Sequence, residues 1–370
     1  MTALRAAGSL CSGVGMLDRT VEHLFDVSTT WYAELDPAAA TVYSRHWPTA
    51  PNLGDITAVD WHGVDQVGVF KAGFPCQPFS GAGPQRGTHD ERHLWPTAVL
   101  PAITVLAPPV VVLENVEDLL RIEQGQVFAQ VLADLDDLGY TVAWATVGAC
   151  KVGACHCRHR LFILAVRDTP VDVPGTLPVA RRRNNTWAPF QDVLFGDSEA
   201  VRWPFAGVAR DGAVWTLPSN RCGKGRMQLL PTPTARDAGR GVGWGHLSGR
   251  PLSEVAAVLP DGFGKYAPAV RRHEATFGVP APEPTFIGRS GNPLLRPEFV
   301  EWMMRLPAGW VTDLVSPARK TPEGMISRGD AVKALGNGVV GAAASHALAS
   351  LPTFPAAQVL LSARPLVVAA

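Results

Sequence analysis

An α/β fold built on a doubly wound, mostly parallel sheet, with a smaller loop-rich second domain, is predicted by three observations. Short apolar runs alternate with helical patterns through the first 168 residues, as they do where parallel strands are joined by crossover helices. A glycine-rich turn, Ser12-Gly13-Val14-Gly15, joins the first run to the first helical pattern, at the kind of place where such sheets bind ligands. From about residue 170 to 290 the periodicity fades, and Pro, Gly, Arg and Trp become frequent. At roughly 150 residues per domain, 370 residues suit two or three domains. The expected division is 1–170 plus 290–350 as one domain, 171–289 as the second, and 351–370 as a tail.

The strands expected are Arg5–Leu10, Ser28–Ala33, Gln66–Gly73, Val110–Glu114, Tyr140–Val147 and Leu161–Val166. Helical spacing predicts Met16–Phe25, Pro37–His46 and Val127–Leu138. In the last, Val127, Val131, Leu132, Leu135 and Leu138 form one stripe and Gly139 stops it. Further helices are expected at Arg296–Leu306 and in the Ala-rich Gly338–Leu351. There is no internal repeat. Val359–Leu361 and Pro365–Ala369 either pack on the body or hang loose.

Hydrophobic residues make up 46% of the chain and charged residues 18%, which supports sizeable cores and excludes a disordered chain. The most apolar stretch, Val99–Leu113, is interrupted by Pro101, Pro108 and Pro109, and falls short of the ~18 residues of a membrane span. Arg5 and the Gly- and Ser-rich stretch up to Asp18 make a poor signal-peptide core. Six cysteines in this length form no disulfide framework, so a reducing cytoplasm is expected. The net charge is zero, yet residues 176–290 hold 15 basic and nine acidic side chains. A polyanion would meet that region first.

The chemistry-bearing residues cluster at the ends of the expected strands. Glycines at 13 and 15 let the backbone turn tightly and approach a ligand at a helix N-terminus. Glu34 and Asp36 end the second strand about 20 residues later, where a carboxylate binds a ribose; a helix cap at Asp36-Pro37 is the plainer alternative. Asp55, in Gly54-Asp55-Ile56, can present a carboxylate to an adenine amino group. Gly73-Phe74-Pro75-Cys76-Gln77-Pro78-Phe79-Ser80 holds a thiol in a proline-stiffened loop just past a strand, a setting for a thiolate nucleophile rather than a core cysteine. Glu114 ends a buried strand, where burial raises a carboxyl pKa towards proton-sharing values. Arg158 and Arg160 point to one face of their strand, and two guanidiniums there suit phosphate or developing negative charge. The spacing of Cys150, Cys155, His156, Cys157 and His159 does not fit a paired zinc knuckle, so no metal site is expected and the histidines are read as local hydrogen-bonders.

Taken together these motifs resemble one family, the cytosine-C5 DNA methyltransferases, in order and over residues 5–345. Pro75-Cys76-Gln77 is similar to the nucleophile loop and Glu114-Asn115-Val116 to the motif with the base-binding glutamate. His156-Cys157-Arg158-His159-Arg160 is similar to the Gln-x-Arg-x-Arg element. Gly336-Asn337-Gly338-Val339 is similar to the last motif, and Arg296–Trp310 to the segment before it. The sequence departs from the family at Cys11 and Met16, which stand where Phe and Gly are usual, and at His156, which stands where Gln is usual.

The resemblance implies a Rossmann-like methyltransferase domain with S-adenosylmethionine as cofactor, and a target-recognition domain over 171–289. It implies that Cys76, Glu114, Arg158 and Arg160 carry the catalysis. The cofactor would be held by Leu10, Cys11, Ser12, Gly13, Gly15, Met16, Glu34, Leu35, Asp55, Ile56, Gly73, Pro75, Asn337 and Val339. Duplex DNA would be met by Gln77, Ser80, Arg221, Lys224, Arg226, Arg236 and Arg240, after the target cytosine flips out. Arg181–Arg183, Arg250, Arg271, Arg272, Thr232, Thr234 and Asp237 are weaker candidates for the same surface. A monomer with no membrane contact is expected, with a cognate restriction endonuclease acting separately as a further partner. An RNA cytosine methyltransferase and a catalytically idle DNA-binding relative remain as alternatives. A nicotinamide-binding dehydrogenase would leave the Pro-Cys-Gln loop and the arginine pair without a role.

Overall fold

The computed structural model describes residues 3–74, 94–167, 178–183, 186–189, 201–219, 227–238, 250–318 and 320–362. In chain order its strands are β1 (Ala6–Leu10), β2 (Ser28–Ala33), β3 (Val69–Ala72), β4 (Val110–Val116), β5 (Tyr140–Gly148), β6 (His159–Arg167), β7 (Ala180–Arg183), β8 (Thr186–Pro189), β9 (Ala206–Arg210) and β10 (Ala213–Thr216). Among the described residues they form one ten-stranded sheet, ordered β2-β1-β3-β4-β6-β5-β9-β10-β7-β8. The first four are parallel. β6 enters antiparallel between β4 and β5, so β5 again points the way of β4. The six expected strands are all present, each within a few residues of its expected ends.

The last four strands come from residues expected in the second domain. They continue the same sheet by antiparallel pairing onto β5. Their shortness hid them: four or five residues between turns leave little periodicity to read. A separate hairpin pairs β11 (Thr285–Ile287) with β12 (Pro293–Leu295).

Alternation along each strand divides the apolar residues between two cores, one on each face. One face carries Ala7, Val69, Val110, Val112, Phe162 and Leu164. It is covered by α1 (Met16–Phe25) and by the helices at Arg328–Asn337, Gly341–Ala349 and Phe354–Ser362. The other face carries Leu10, Phe70, Val111, Leu113 and Trp144, under α3 (Leu100–Leu106) and α4 (Gln126–Asp137). Between β2 and β3, α2 (Pro37–His46) starts at Asp36, whose carboxylate accepts from the Ala38 and Ala39 N–H groups while Pro37 fills the first turn. The plainer reading of Asp36 as a cap therefore holds. α3 was not expected, because its Pro101 reads as a breaker; a wider helical turn over Trp95–Val99 leads directly into it, at a place where the ladder already departs from α-helical spacing. Phe354–Ser362 packs on the body: the Phe354 ring lies 5.3 Å from Phe25, and Thr353 donates to the Leu164 carbonyl. Among the described residues no helix is long and apolar enough to cross a membrane.

Candidate active site

The carboxyl ends of β1, β3 and β4 open on a cleft, the place where open α/β sheets bind their ligands. Its wall includes Ser9 to Val14, Met16, Gly73, Glu114 and Asn337 to Val339. The β1–α1 turn forms its floor. Gly13 and Gly15 both have positive φ, 55° and 80°. A Cβ on Gly15 would run into the Trp47 ring, whereas one on Gly13 would meet open space. Gly15 is thus required by packing, and Gly13 by backbone conformation on a side left clear for a ligand.

The second-strand carboxylate reaches back to this turn. Gly13 N–H donates to Glu34 Oε2 at 2.8 Å and Asp36 N–H to Oε1 at 2.9 Å. Burial pushes the Glu34 carboxyl up, and these two N–H groups oppose it. Asn52 accepts from the N–H groups of Glu34 and Gly54 and donates to the Glu34 carbonyl, which brings the Gly54-Asp55 loop beside the strand end. Asp55 is held low by the N–H and hydroxyl of Thr57. Leu35 beside Glu34 is 69% exposed, unusual for a leucine, while Ile56 is buried.

These residues fit a nucleoside with an amino-acid tail. Carboxylates sit on adjacent loops, Leu35 offers a bare apolar side chain, and the turn has an open glycine. Cys11, where the family has Phe, is partly buried, and burial raises its thiol pKa to about 12. Of the expected cofactor residues, Leu10, Cys11, Ser12, Gly13, Met16, Gly73, Asn337 and Val339 line the cleft. Gly15, Glu34, Leu35, Asp55 and Ile56 flank it, and Pro75 lies outside the described residues.

At the far end stands a buried charge cluster on the sheet face that α1 covers. Glu114, 8% exposed, pairs with Arg160 across β4 and β6, with Nε 2.8 Å from Oε1. Arg158, 6% exposed, donates to the Pro233 carbonyl at 3.2 Å, and its Nε has no hydrogen-bond partner. Burial pushes the Glu114 carboxyl up, and Arg160 and Arg158 pull it back. Burial also pushes both guanidiniums down, Arg158 well below its usual range. Asn115, on the opposite face, donates to the Phe74 carbonyl at 3.0 Å. Phe74 is the last described residue before Pro75 and Cys76, so the root of that loop is tied beside Glu114. Cys76, Gln77, Ser80, Arg221, Lys224, Arg226 and Arg240 all lie outside the described residues. Among the described free cysteines, Cys11 and Cys155 are both held as thiols, with pKa near 12.

Several sequence expectations need correction. Thr234 and Asp237 do not face outward as a pair: Asp237 is buried and accepts from the Thr234 N–H and hydroxyl and from the Ser253 N–H. Their neighbour Arg236 is exposed on the turn they close. Arg182 is committed to Asp137 through two bonds of 2.6 and 2.7 Å, and Arg272 donates to the Ala154 carbonyl. His156 is not a local bonder. Fully buried, it meets the Met303 carbonyl at 3.0 Å, and burial lowers its pKa to about 3. Cys150 and Cys157, read as unpaired, form a disulfide just before Arg158, with Cα atoms 4.8 Å apart.

Sequence reading also missed three anchors. Trp310 donates its indole N–H to the Val14 carbonyl at 2.8 Å and stacks on His46 with centroids 3.4 Å apart. Lys333 pairs with Asp36 at 2.6 Å. Lys71 and Asp18 pair beneath the cleft at 2.8 Å. The only local signal for that pair was a lysine inside an apolar strand.

The family model for C-5 cytosine-specific DNA methylase matches residues 6–193. Over 190 residues the chain is 30% identical to the Type II methyltransferase M.NgoBI of Neisseria gonorrhoeae, covering 51% of this chain and 57% of that protein. It is 30% identical over 223 residues to the Type II methyltransferase M.Bsp6I of Bacillus sp. (strain RFL6), covering 53% and 70%. The chain spans about half the length of the curated relatives it matches. In structure it is similar to the Dnmt2 methyltransferase of S. pombe, with a TM-score of 0.50 at 13% identity over 96% of this chain and 98% of that one. At that identity the likeness speaks for the α/β fold alone.

Proposed function

We propose that this chain, which belongs to the C-5 cytosine-specific DNA methylase family, methylates C5 of a cytosine in duplex DNA with S-adenosylmethionine as donor. The observation that carries the reading is the Glu114–Arg160 pair, desolvated at one end of a cleft whose other end is a glycine turn and whose rim roots the Pro-Cys-Gln loop. In this reading residues 1–170 plus 290–350 hold the cofactor and do the chemistry, and 171–289 recognises the target.

S-adenosylmethionine, when bound, supplies an electrophilic methyl group. Glu34 would hold its ribose, Asp55 its adenine amino group with Leu35 and Ile56 against the ring, and the Asn337–Val339 end its amino-acid tail. The chain's own task is to make C5 nucleophilic. The Cys76 thiolate adds to C6, forming a C–S bond; the C5–C6 π pair becomes the C4–C5 double bond and the C4–N3 π pair moves to N3, leaving C5 an enamine carbon. Glu114 carries the proton that neutralises N3, and its raised pKa favours that protonated form. Arg160 and Arg158 stabilise the base oxygen in a site where they need no reorganisation. After methylation the C5 proton is lost to a base and the C–S bond breaks with its electron pair on sulfur, while N3 returns its proton to Glu114, restoring the ring and the Cys76 thiolate. Extruding the base from the duplex costs a few kcal/mol. Gln77 and Ser80 would fill the gap, and Arg221, Lys224, Arg226, Arg236 and Arg240 would contact DNA.

The test is sequencing of 5-methylcytosine in plasmid DNA from cells expressing the wild type or Cys76→Ala. A single methylated motif, absent with the variant, is expected. Methylation that survives Cys76→Ala would sink the covalent mechanism. Unmethylated plasmid together with methylated RNA would replace the DNA substrate.

A further inference from the structure

Beneath the glycine turn lies a charge pair that the methyl-transfer chemistry leaves unused. Asp18, in the first turn of α1, is 1% exposed, and Lys71 on β3 is completely buried. Lys71 Nζ lies 2.8 Å from Asp18 Oδ1 and also donates to Thr29 Oγ1 at 2.7 Å. The Tyr43 hydroxyl donates to the same Oδ1 at 2.9 Å. One carboxylate oxygen therefore has two donors. The other, Oδ2, is buried and has no hydrogen-bond partner. Leaving a buried acceptor unmet is expensive, and replacing such a pair by apolar residues is often neutral or stabilising. The pair is hard to explain as a device for stability.

Its position suggests another use. Asp18 is itself part of the cleft wall, with Ser9, Ser12, Gly13 and Asn337. The described residues of that wall include two carboxylates, Asp18 and Glu114, and neither Lys nor Arg. Lys71 stands behind, on the sheet, where it holds Oδ1 and leaves Oδ2 without a partner.

We propose that Asp18 Oδ2 accepts a hydrogen bond from the α-ammonium of the cofactor's amino-acid tail, with Lys71 and Tyr43 as the residues that position it. This rests on the reading of the cleft as an S-adenosylmethionine site. The ligand class follows from the chemistry: a primary ammonium carries several N–H donors and a positive charge, and Oδ2 offers one lone acceptor with negative charge.

Titration calorimetry on the full chain tests it, using S-adenosylhomocysteine and its deaminated analogue, in which hydrogen replaces the α-ammonium. The wild type is expected to prefer S-adenosylhomocysteine about ten- to hundred-fold, the range of a charge-assisted bond. Asp18→Asn/Lys71→Met removes both charges together, so no buried lysine is left unpaired. It is expected to bring the preference within about three-fold while binding the deaminated analogue as the wild type does. Equal weakening of both ligands in the variant would show a merely structural pair and overturn the proposal. A wild type that binds both ligands equally would overturn it without any variant, and would leave the cofactor reading standing. A wild type that binds neither ligand overturns the cofactor reading and this proposal with it.

Discussion

The two ends of the cleft use the same strand ends and treat their polar groups in opposite ways. At the glycine turn most groups have found neighbours: the Gly13 N–H meets Glu34, Ser12 meets Ser9, and the Val14 carbonyl meets Trp310. At the β4–β6 end the charges are packed close and starved of water. Glu114 is pushed up, Arg158 and Arg160 are pushed down, and Arg158 Nε has no partner. The turn is a finished surface that a ligand fits. The charge cluster is an unfinished one, whose desolvation is met during folding; in the proposed reaction it would act at full strength when a base arrives.

If that contrast is right, the largest effect comes from the unfinished end. Glu114→Gln is expected to lower turnover by about 10²–10⁴-fold with cofactor affinity within a few-fold of wild type. The sign of the pH dependence follows from the raised carboxyl. The protonated form holds N3, so wild-type turnover falls as pH rises through that pKa, and the Gln variant lacks this limb. Steady-state kinetics against pH, with calorimetry for the cofactor, check both. Equal losses of affinity and turnover would break the separation of the two ends.

A smaller effect is expected at the finished end. Gly15→Ala places a methyl against the Trp47 ring at φ 80°, a strain of about 1–3 kcal/mol. It is expected to lower the melting temperature and weaken cofactor binding while sparing turnover at saturation. A variant as stable as wild type would mean the turn is looser than its contacts imply.

A last prediction sharpens the comparison through protons rather than through the site. His156 and His273 are neutral in the fold, with pKa values near 3 and 4, and near 6.5 when unfolded. The unfolded chain therefore binds more protons below pH 6.5. The stability these residues contribute is complete above 6.5 and is lost progressively as pH falls towards their folded values. Urea unfolding at pH 7.5 and pH 5 should show the fall, and His156→Gln should make it shallower. An unchanged slope would show that His156 is not buried as a neutral ring.

What the sequence disclosed and what it hid follow from the range of the interactions. The six strands of residues 1–168 are local patterns, and so are the glycine turn and Glu114 at a strand end. Each was visible within a window of a dozen residues. The short strands β7 to β10 gave no period to read. Lys71 looked like an ordinary strand residue because its partner, Asp18, comes from another element. His156 was read as local because nothing nearby hints at Met303, 147 residues on. Asp237 stood only as a weak base-facing candidate beside the plainer reading of a Pro-rich turn, and its burial stayed hidden because its partner at the Ser253 N–H lies 16 positions on.

The anchors of the glycine turn have a consequence for how the protein is made. Trp310 reaches Val14 across 296 positions, and Lys333 reaches Asp36 across 297. Gly341 packs on Thr20 of the first helix. A ribosome delivers the N-terminal strands first, and the residues that brace the turn emerge about 300 positions later. Long-range closure of this kind is slow, and domains form in the order they emerge. A nascent chain halted before residue 300 holds the residues of β1 to β6 but lacks the braces of its glycine turn and the helices that cover one face of its sheet. Premature products would then carry an unbraced turn and an uncovered apolar sheet face.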